Sequence, residues 1–190
     1  MVQLVLASAS PRRVALLRQI GYQPLVSPSS FQEDTVVAGE DPVAYVKRQA
    51  LCKARDVTLR YPDAAVLAAD TVVVLDQEII GKPLDVKTAK AVLQRLCGRR
   101  HMVYTGVAVV YKDKIYQTCG ATAVYMRALS EDRIDWYVGT GEPMDKAGAY
   151  GIQGYGALLV EKIEGCYFNV VGLPLIPVAD CLEQIGVGQV

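Results

Sequence analysis

The hydrophobic and polar positions near the start of the chain predict a strand, a tight loop and a helix, in that order. Residues 4–7 (LVLA) form a short apolar run, which is typical of a buried strand. Ser10 and Pro11 follow as a helix N-cap and a first helical residue. Apolar residues then recur at helical spacing as far as Gly21, which is typical of a helix end.

The same pattern predicts further helices later in the chain. Asp41, Asp85 and Ser130 each stand before a helical pattern and are predicted as N-caps. A final helix is predicted to begin near Pro174.

The longest predicted strand lies in the first half of the chain. Residues 64–75 (AAVLAADTVVVL) are apolar except at Asp70 and Thr71. A turn at residues 76–77 is predicted to end this strand.

Strand patterns dominate the second half of the chain. Alternation on both sides of residues 112–114 predicts a hairpin. Residues 157–163 predict another strand, whereas residues 141–156 contain too much glycine for regular structure. Helices and strands alternate at first and a hairpin then intervenes. The sequence therefore predicts an α/β fold with a mixed sheet, in one domain over residues 1–190.

Charge and hydropathy exclude several classes of function. Twenty basic residues balance twenty acidic ones, which argues against a nucleic-acid partner because such a partner demands a strongly basic face. No apolar run approaches the length of a membrane span, and the run at residues 4–7 is too short for a signal peptide. We therefore expect a cytoplasmic protein that binds neither a membrane nor a nucleic acid.

The cysteine and histidine content excludes further kinds of site. Five cysteines occur without a C-x-x-C pair, which predicts free, buried thiols in a reducing cytosol rather than disulfides or a zinc site. His101 is the only histidine, so histidine-based nucleophilic sites are excluded unless His101 serves them. We interpret His101, at the start of a predicted strand, as structural.

Asp70 is the most informative single position in the chain. An ionised carboxylate within an apolar strand must be paired, bind a metal ion or face a cleft, because its burial alone is costly. The alternative is that the strand ends before Asp70 and that Asp70 and Thr71 form a turn. The β-branched residues at 71–74 favour the strand and a functional Asp70.

Arg12 and Arg13 lie in the first turn of the first predicted helix. Cations oppose the helix dipole there, so an anion bound at the helix N-terminus would compensate them. A solvated helix face with two surface arginines is the alternative interpretation.

Other charged residues lie where loops meet predicted elements. Glu33, Asp34, Lys53 and Lys82 are each, taken alone, typical of solvated charges. Together they supply carboxylates for a hard metal ion and cations for phosphate oxygens.

The familiar phosphate-binding motifs are absent. The chain contains no G-x-x-x-x-G-K-[ST], and the glycine spacing of residues 151–156 (GIQGYG) differs from the dinucleotide fingerprint. We interpret residues 151–156 as a flexible loop or as a close backbone approach to a ligand. In the second case Gln153 offers a donor and an acceptor to a base edge.

Five segments together resemble the Maf family of nucleoside triphosphate pyrophosphatases: LASASPRR, AADTVVVLDQEIIGKPLD, VYTGVAV, EPMDKAGAYGIQGYG and NVVGLPL. The resemblance covers nearly the whole chain in the family's order. It implies an elongated mixed β-sheet flanked by helices, with two lobes and a central cleft, as in inosine triphosphate pyrophosphatases. Within the family, the segment that contains Lys146 and Gln153 is similar to that of the branch that acts on dTTP and UTP.

The resemblance also implies roles for individual residues. Asp70 is implied as the catalytic carboxylate, and Glu33 is expected to share a divalent metal ion, Mg²⁺ or Mn²⁺, with it. Substrate choice is linked to Arg12, Thr71 and Gln153. The residues implied to line the triphosphate site are Ser8, Arg12, Arg13, Lys53 and Lys82.

The implied reaction is hydrolysis between the α and β phosphates of a nucleoside triphosphate, with dTTP and UTP preferred and a homodimer as the expected assembly. Two alternatives stay open at this point. One is a pyrophosphatase for 7-methyl-GTP or another modified nucleotide. The other is a non-catalytic, nucleotide-binding regulator of septum formation.

Overall fold

The computed structural model of the chain describes residues 2–34 and 39–189. The strands are β1 (Leu4–Leu6), β2 (Leu25–Val26), β3 (Ala65–Leu75), β4 (Glu78–Ile80), β5 (Arg100–Tyr111), β6 (Lys114–Met126) and β7 (Val160–Glu164). The α-helices are α1 (Pro11–Gln19), α2 (Pro42–Thr58), α3 (Val86–Leu96), α4 (Glu131–Gly139), α5 (Tyr167–Val171) and α6 (Leu175–Gln184).

The strands form one sheet in the order β2-β1-β3-β5-β6-β7, with β4 beside β3. β1 pairs in parallel with β2 and β3, and every other pairing is antiparallel. The predicted mixed α/β sheet is therefore confirmed.

One edge of β3 is left open at its centre. The other edge pairs continuously with β5 from Val66 to Val74. On the open edge, β1 pairs only with residues 65–67 and β4 only with residues 73–75. Within the described residues, no strand covers residues 68–72 on that edge. Asp70 lies in this gap, on the strand rather than in a turn.

Two apolar cores lie on the same face of the sheet. One packs α1 and α6 against β3 and β5 around Leu17, Leu67 and Leu182. The second packs α3 and α4 against the far ends of the same strands. The register pair Thr71 and Thr105 separates the two cores on this face. This separation gives the expected two lobes.

Helix α2 covers the opposite face of the sheet. A Cβ at Gly106 would lie 2.4 Å from the backbone of Val46, so β5 needs a glycine where α2 crosses it. This contact holds α2, and with it Lys53, against the centre of β3.

Local sequence signals fix most element boundaries. The predicted caps are confirmed: Asp41 accepts from Ala44 N at 3.0 Å, Asp85 from Thr88 N at 2.6 Å and Ser130 from Arg133 N at 3.3 Å. Ser10 holds the N-cap position of α1 without a side-chain hydrogen bond.

The predicted turn and hairpin are also confirmed. Asp76 and Gln77 both have positive φ, as a two-residue hairpin turn between β3 and β4 requires. β5 and β6 pair throughout their length around residues 112–113.

Several elements differ from the sequence prediction. β2, β4 and α5 were not predicted, because elements of two, three and five residues give little periodic signal. The last strand begins at Val160 rather than residue 157, since residues 154–158 form a 3₁₀ turn. Glycine-rich residues 141–156 also contain 3₁₀ turns over Glu142–Asp145 and Ala147–Ala149.

All five cysteines are free, as predicted, but they are half-buried rather than buried. Among the described helices, none has both the length and the apolar character to cross a bilayer.

His101 is buried and packed edge-on against Tyr150, with Nε2 at 2.6 Å from the Tyr150 hydroxyl. This environment agrees with a structural role. Burial lowers the pKa of His101 to about 4, because the charged ring is poorly solvated there.

The free energy of unfolding is expected to decrease between pH 6.5 and pH 4. Unfolded histidine titrates at about 6.5, so the unfolded chain takes up a proton in this range that folded His101 rejects. The loss reaches about 3 kcal/mol at pH 4. The chain has a single histidine, so its ring C–H resonances are free of overlap with other histidines and their titration by NMR checks the pKa. His101→Gln is expected to flatten this part of the pH dependence, and a midpoint near 6.5 would contradict the assignment.

Candidate active site

A cleft of about 450 Å³ opens at the uncovered edge of β3, between the two lobes. Its walls come from the start of α1, the loop before residue 34, one side of α2, and the glycine-rich segment. All predicted site residues line this one cleft: Ser8, Arg12, Arg13, Glu33, Lys53, Asp70, Thr71, Lys82 and Gln153.

Asp70 and Glu33 share one ammonium group in the cleft. Lys53 Nζ donates to Asp70 Oδ1 and to Glu33 Oε1, both at 2.6 Å. The Asp70 side chain is only 7% exposed, whereas the Glu33 side chain is 42% exposed. Lys82 Nζ lies 3.9 Å from the same Glu33 oxygen. The four residues therefore form a chain of alternating charge from the sheet to the cleft mouth.

Glu33 stays ionised over the ordinary pH range. Partial burial raises its pKa, but the charge and hydrogen bond of Lys53 and the charge of Lys82 outweigh this, so the pKa lies below its usual value. A permanently charged carboxylate at the mouth suits a site for a cation.

Tyr45 forms part of the wall beside these carboxylates. Its hydroxyl donates to the backbone oxygen of Asp34 at 3.2 Å. Burial, together with the charges of Asp70 and Glu33, raises the pKa of Tyr45 to about 12. Tyr45 is therefore a neutral hydrogen-bond donor here and not an acid.

Arg13 is held by three neutral oxygen acceptors. Its Nε donates to Gly172 O at 2.8 Å, and its terminal nitrogens donate to Ser8 Oγ at 3.2 Å and Thr71 Oγ1 at 3.1 Å. Within the described residues, no carboxylate forms an ion pair with it. Burial lowers the pKa of Arg13, although the charge of Asp70 partly opposes this. Two of the five guanidinium N–H groups are left over by these bonds, and they suit an anion.

Thr71 connects Arg13 to a buried hydroxyl relay that the sequence did not reveal. Thr105 donates to the backbone oxygen of Asn169 at 2.9 Å, so the hydrogen between Thr105 and Thr71 must come from Thr71. The Thr71 oxygen is then free to accept from Arg13. Asn169 is itself fixed, because its amide donates to Val103 O and Thr122 Oγ1.

Arg12 reaches across the cleft to the glycine-rich segment. Its guanidinium forms an ion pair with Asp145 at 3.0 Å. Lys146 Nζ donates to the other oxygen of Asp145 at 2.7 Å. Asp145 was not predicted as a site residue, although it lies within the segment EPMDKAG that carries the family resemblance.

The carboxylate pair fits a divalent cation that arrives with its substrate. Glu33 and Asp70 offer hard oxygen ligands, and Mg²⁺ is commonly bound by one or two carboxylates together with water and substrate phosphates. In residues 2–34 and 39–189, no group of three or more acidic, histidine or cysteine side chains forms a complete metal site. Lys53 Nζ contacts one oxygen of each carboxylate at 2.6 Å, and the second oxygen of each carboxylate offers a position for a cation.

Comparison with known proteins identifies relatives over nearly the full chain. The chain is 52% identical over 186 residues to a dTTP/UTP pyrophosphatase of Symbiobacterium thermophilum, which covers 98% of this chain and 95% of the relative. A dTTP/UTP pyrophosphatase of Pyrococcus furiosus is 44% identical, with 96% and 95% covered.

Solved structures show only a distant likeness. A nucleoside-triphosphatase / dITP/XTP pyrophosphatase from Mycobacterium abscessus matches with a TM-score of 0.48 and 15% identity, over 97% of this chain and 95% of that chain. The family model for the Maf-like protein, in contrast, matches residues 3–185. The chain therefore belongs to the Maf-like protein family.

Proposed function

We propose that the protein hydrolyses nucleoside triphosphates between the α and β phosphates, with dTTP and UTP preferred. One observation carries the proposal: a half-buried arginine with only neutral hydrogen-bond partners, Arg13, lies in the same cleft as the buried carboxylate of Asp70. The names of the relatives, at 44–52% identity over nearly the full chain, support this reaction and these substrates.

In this proposal the cations of the cleft bind the triphosphate. Arg13, on its three fixed acceptors, contacts the phosphate oxygens with its remaining donors. Arg12, Lys53 and Lys82 neutralise the charge that develops on the leaving pyrophosphate. The Ser8 hydroxyl orients Arg13 and lines the same part of the cleft.

Asp70 is proposed as the base that activates the attacking water. It takes the proton as the water oxygen bonds to the α-phosphorus, and the bond to the bridging oxygen of pyrophosphate breaks. Mg²⁺ or Mn²⁺ held by Glu33 and Asp70 would supply charge neutralisation and a more acidic water. Lys53 holds the Asp70 carboxylate in place through the 2.6 Å contact.

Gln153, Arg12 and Thr71 are proposed to select the base. Gln153 is exposed on the cleft wall, and its amide offers one donor face and one acceptor face. The N3–H and O4 of uracil or thymine match that pair of groups. Thr71 acts through Arg13, because its hydroxyl already accepts from that side chain.

We further propose that residues 1–190 act as one functional domain, since both lobes contribute side chains to the cleft. The homodimer and the cytoplasmic location stay predictions from the sequence.

Pyrophosphate release with Mg²⁺ or Mn²⁺ tests this proposal across dTTP, UTP, CTP, GTP, ATP and 7-methyl-GTP. We expect turnover that is fastest with dTTP and UTP. A preference for 7-methyl-GTP would contradict the proposed role of Gln153 while keeping the reaction. No pyrophosphate from any nucleotide would contradict the reaction and favour a regulator that only binds.

A further inference from the structure

The glycine-rich turn over residues 151–156 is built around a single carboxylate. Glu142 Oε1 accepts from the Tyr137 hydroxyl at 2.9 Å and from Gly156 N at 3.0 Å. Glu142 Oε2 accepts from Tyr155 N at 3.0 Å. The Tyr137 oxygen also accepts from Gly151 N at 3.2 Å. Both ends of the turn are therefore fixed to α4 and to Glu142.

Two glycines of this turn leave room for the carboxylate, for its partner Tyr137 and for the backbone of the turn itself. A Cβ at Gly154, which has a φ of +64°, would lie 2.5 Å from Glu142 Oε2. A Cβ at Gly156 would lie 2.0 Å from Gly151 O and 2.8 Å from the Tyr137 hydroxyl. Close approach of the backbone is thus required by contacts within the chain itself. Residues 154–158 form a 3₁₀ turn rather than the expected flexible loop, whereas the close approach to a ligand stays a prediction, because Gly151 and Gln153 line the cleft.

Gln153 lies between the two anchored ends of the turn. Gly151 N is fixed by Tyr137 and the amides of Tyr155 and Gly156 by Glu142, so the backbone of Gln153 has little freedom. Gln153 and Gly151 both line the cleft.

Arg12, the second residue proposed to select the base, is also linked to Glu142. The backbone oxygen of Glu142 accepts from Lys146 Nζ at 2.6 Å. Lys146 also donates to Asp145, which forms the ion pair with Arg12 at 3.0 Å. Glu142 is therefore linked through its side chain to Gln153 and through its backbone to Arg12.

We propose that Glu142 is a positioning residue that sets which base the cleft accepts, by holding Gln153 and Arg12 at a fixed separation. This proposal rests on the proposed function, because it assigns a role within the same cleft. Glu142 itself acts only through the turn, since its carboxylate oxygens are occupied by three donors of this chain.

The three donors require a carboxylate and not an amide. Burial, together with the hydrogen bond to Glu142, raises the pKa of Tyr137 although Gly151 N opposes this, so the hydroxyl keeps its proton and donates. In Glu142→Gln, an amide NH₂ would face at least one of the three donors, and that bond is lost. The size of the side chain stays the same.

Binding measured through the only tryptophan gives a direct test. Trp136 packs edge-on against Tyr155 of the turn, with ring centroids 5.6 Å apart, so its fluorescence reports on this turn. UTP and CTP are titrated without a divalent metal, which measures Kd without turnover. CTP is the matched ligand because cytosine carries the opposite donor and acceptor pattern at N3 and C4. Wild-type protein is expected to bind UTP at least tenfold more tightly.

Glu142→Gln is expected to reduce the UTP preference to less than threefold, mainly by weakening UTP. Inhibition by inorganic pyrophosphate, which has no base, should change by less than twofold. In turnover with UTP, KM should rise at least tenfold while kcat stays within threefold. Glu131→Gln is the matched control, because Glu131 also accepts side-chain hydrogen bonds but lies outside the cleft. It should retain the wild-type preference.

Tyr137→Phe keeps the test decisive if Glu142→Gln does not fold. It removes only the hydroxyl that joins Gly151 to Glu142, and we expect the same loss of preference to a smaller degree. An unchanged UTP to CTP ratio in the folded variants, or equal affinities in the wild type, would overturn the role of Glu142. The wild type could release no pyrophosphate while its preference for UTP over CTP in binding still depends on Glu142. That result would overturn only the proposed reaction.

Discussion

Asp70→Asn is expected to lower kcat/KM for dTTP and UTP by at least about 10³-fold, while the protein stays folded. A positioned base contributes about 10²–10⁴-fold in rate, and asparagine also removes a negative charge from the carboxylate pair proposed to hold the metal ion. The substitution keeps the size of the side chain, so the loss is chemical rather than steric.

Stability should change little in Asp70→Asn. Removal of one partner from a buried ion pair is costly when the other charge is left unpaired. Lys53 keeps its contact with Glu33 Oε1 at 2.6 Å, so its charge stays compensated. The measurement is pyrophosphate release together with thermal unfolding. Asp113→Asn, at the exposed β5–β6 turn, is the control. Activity above a tenth of the wild type in folded Asp70→Asn would remove Asp70 from the mechanism.

The core of the fold was predictable because its signals are local. The cap residues Asp41, Asp85 and Ser130 act within three residues of their own position. The long strand β3 and the β5–β6 hairpin follow from apolar runs and from a two-residue turn. The order of the strands was not predictable in this way. The open edge of β3 depends on where β1 and β4 stop pairing, and no local pattern records that.

The same distinction applies to the cleft. Asp70 was found from the sequence because burial of a carboxylate inside an apolar strand is costly unless the carboxylate has a partner or a function. The family resemblance supplied the roles of Glu33, Lys53 and Lys82, which alone are typical of surface charges. The structure brings all of them into one cleft, and their catalytic and binding roles stay proposals.

The residues that sequence reasoning missed act through other side chains. Thr105 is uncharged and buried in a strand, and its partner Asn169 is 64 residues away. Glu142 and Asp145 carry ordinary surface charges in sequence, and only the folded chain places Asp145 beside Arg12, 133 residues away. The segments EPMDKAG and NVVGLPL, which carry the family resemblance, contain Glu142, Asp145 and Asn169. The resemblance marks these segments, but only the contacts of the side chains in the folded chain suggest a role for each residue.

Arg13→Lys is expected to lower kcat/KM by about 10²–10⁴-fold. The guanidinium is fixed by Gly172, Ser8 and Thr71, and the two remaining N–H groups are proposed to bind phosphate oxygens. Each hydrogen bond to a charged group contributes about 1.5–3 kcal/mol, so two lost bonds give about 3–6 kcal/mol in the transition state. Lysine keeps the charge but cannot reach three separate acceptors and an anion at once.

The control for Arg13 is a substitution on the same helix. Arg18→Lys changes an exposed residue of α1 that does not line the cleft, and its activity should stay within twofold of the wild type. Inhibition by pyrophosphate should weaken at least tenfold in Arg13→Lys and stay unchanged in Arg18→Lys. If Arg13→Lys retains kcat/KM within threefold of the wild type, the two remaining N–H groups of the guanidinium are not what binds the phosphates. The charge alone would then suffice, and the three neutral acceptors would serve only to bury the arginine.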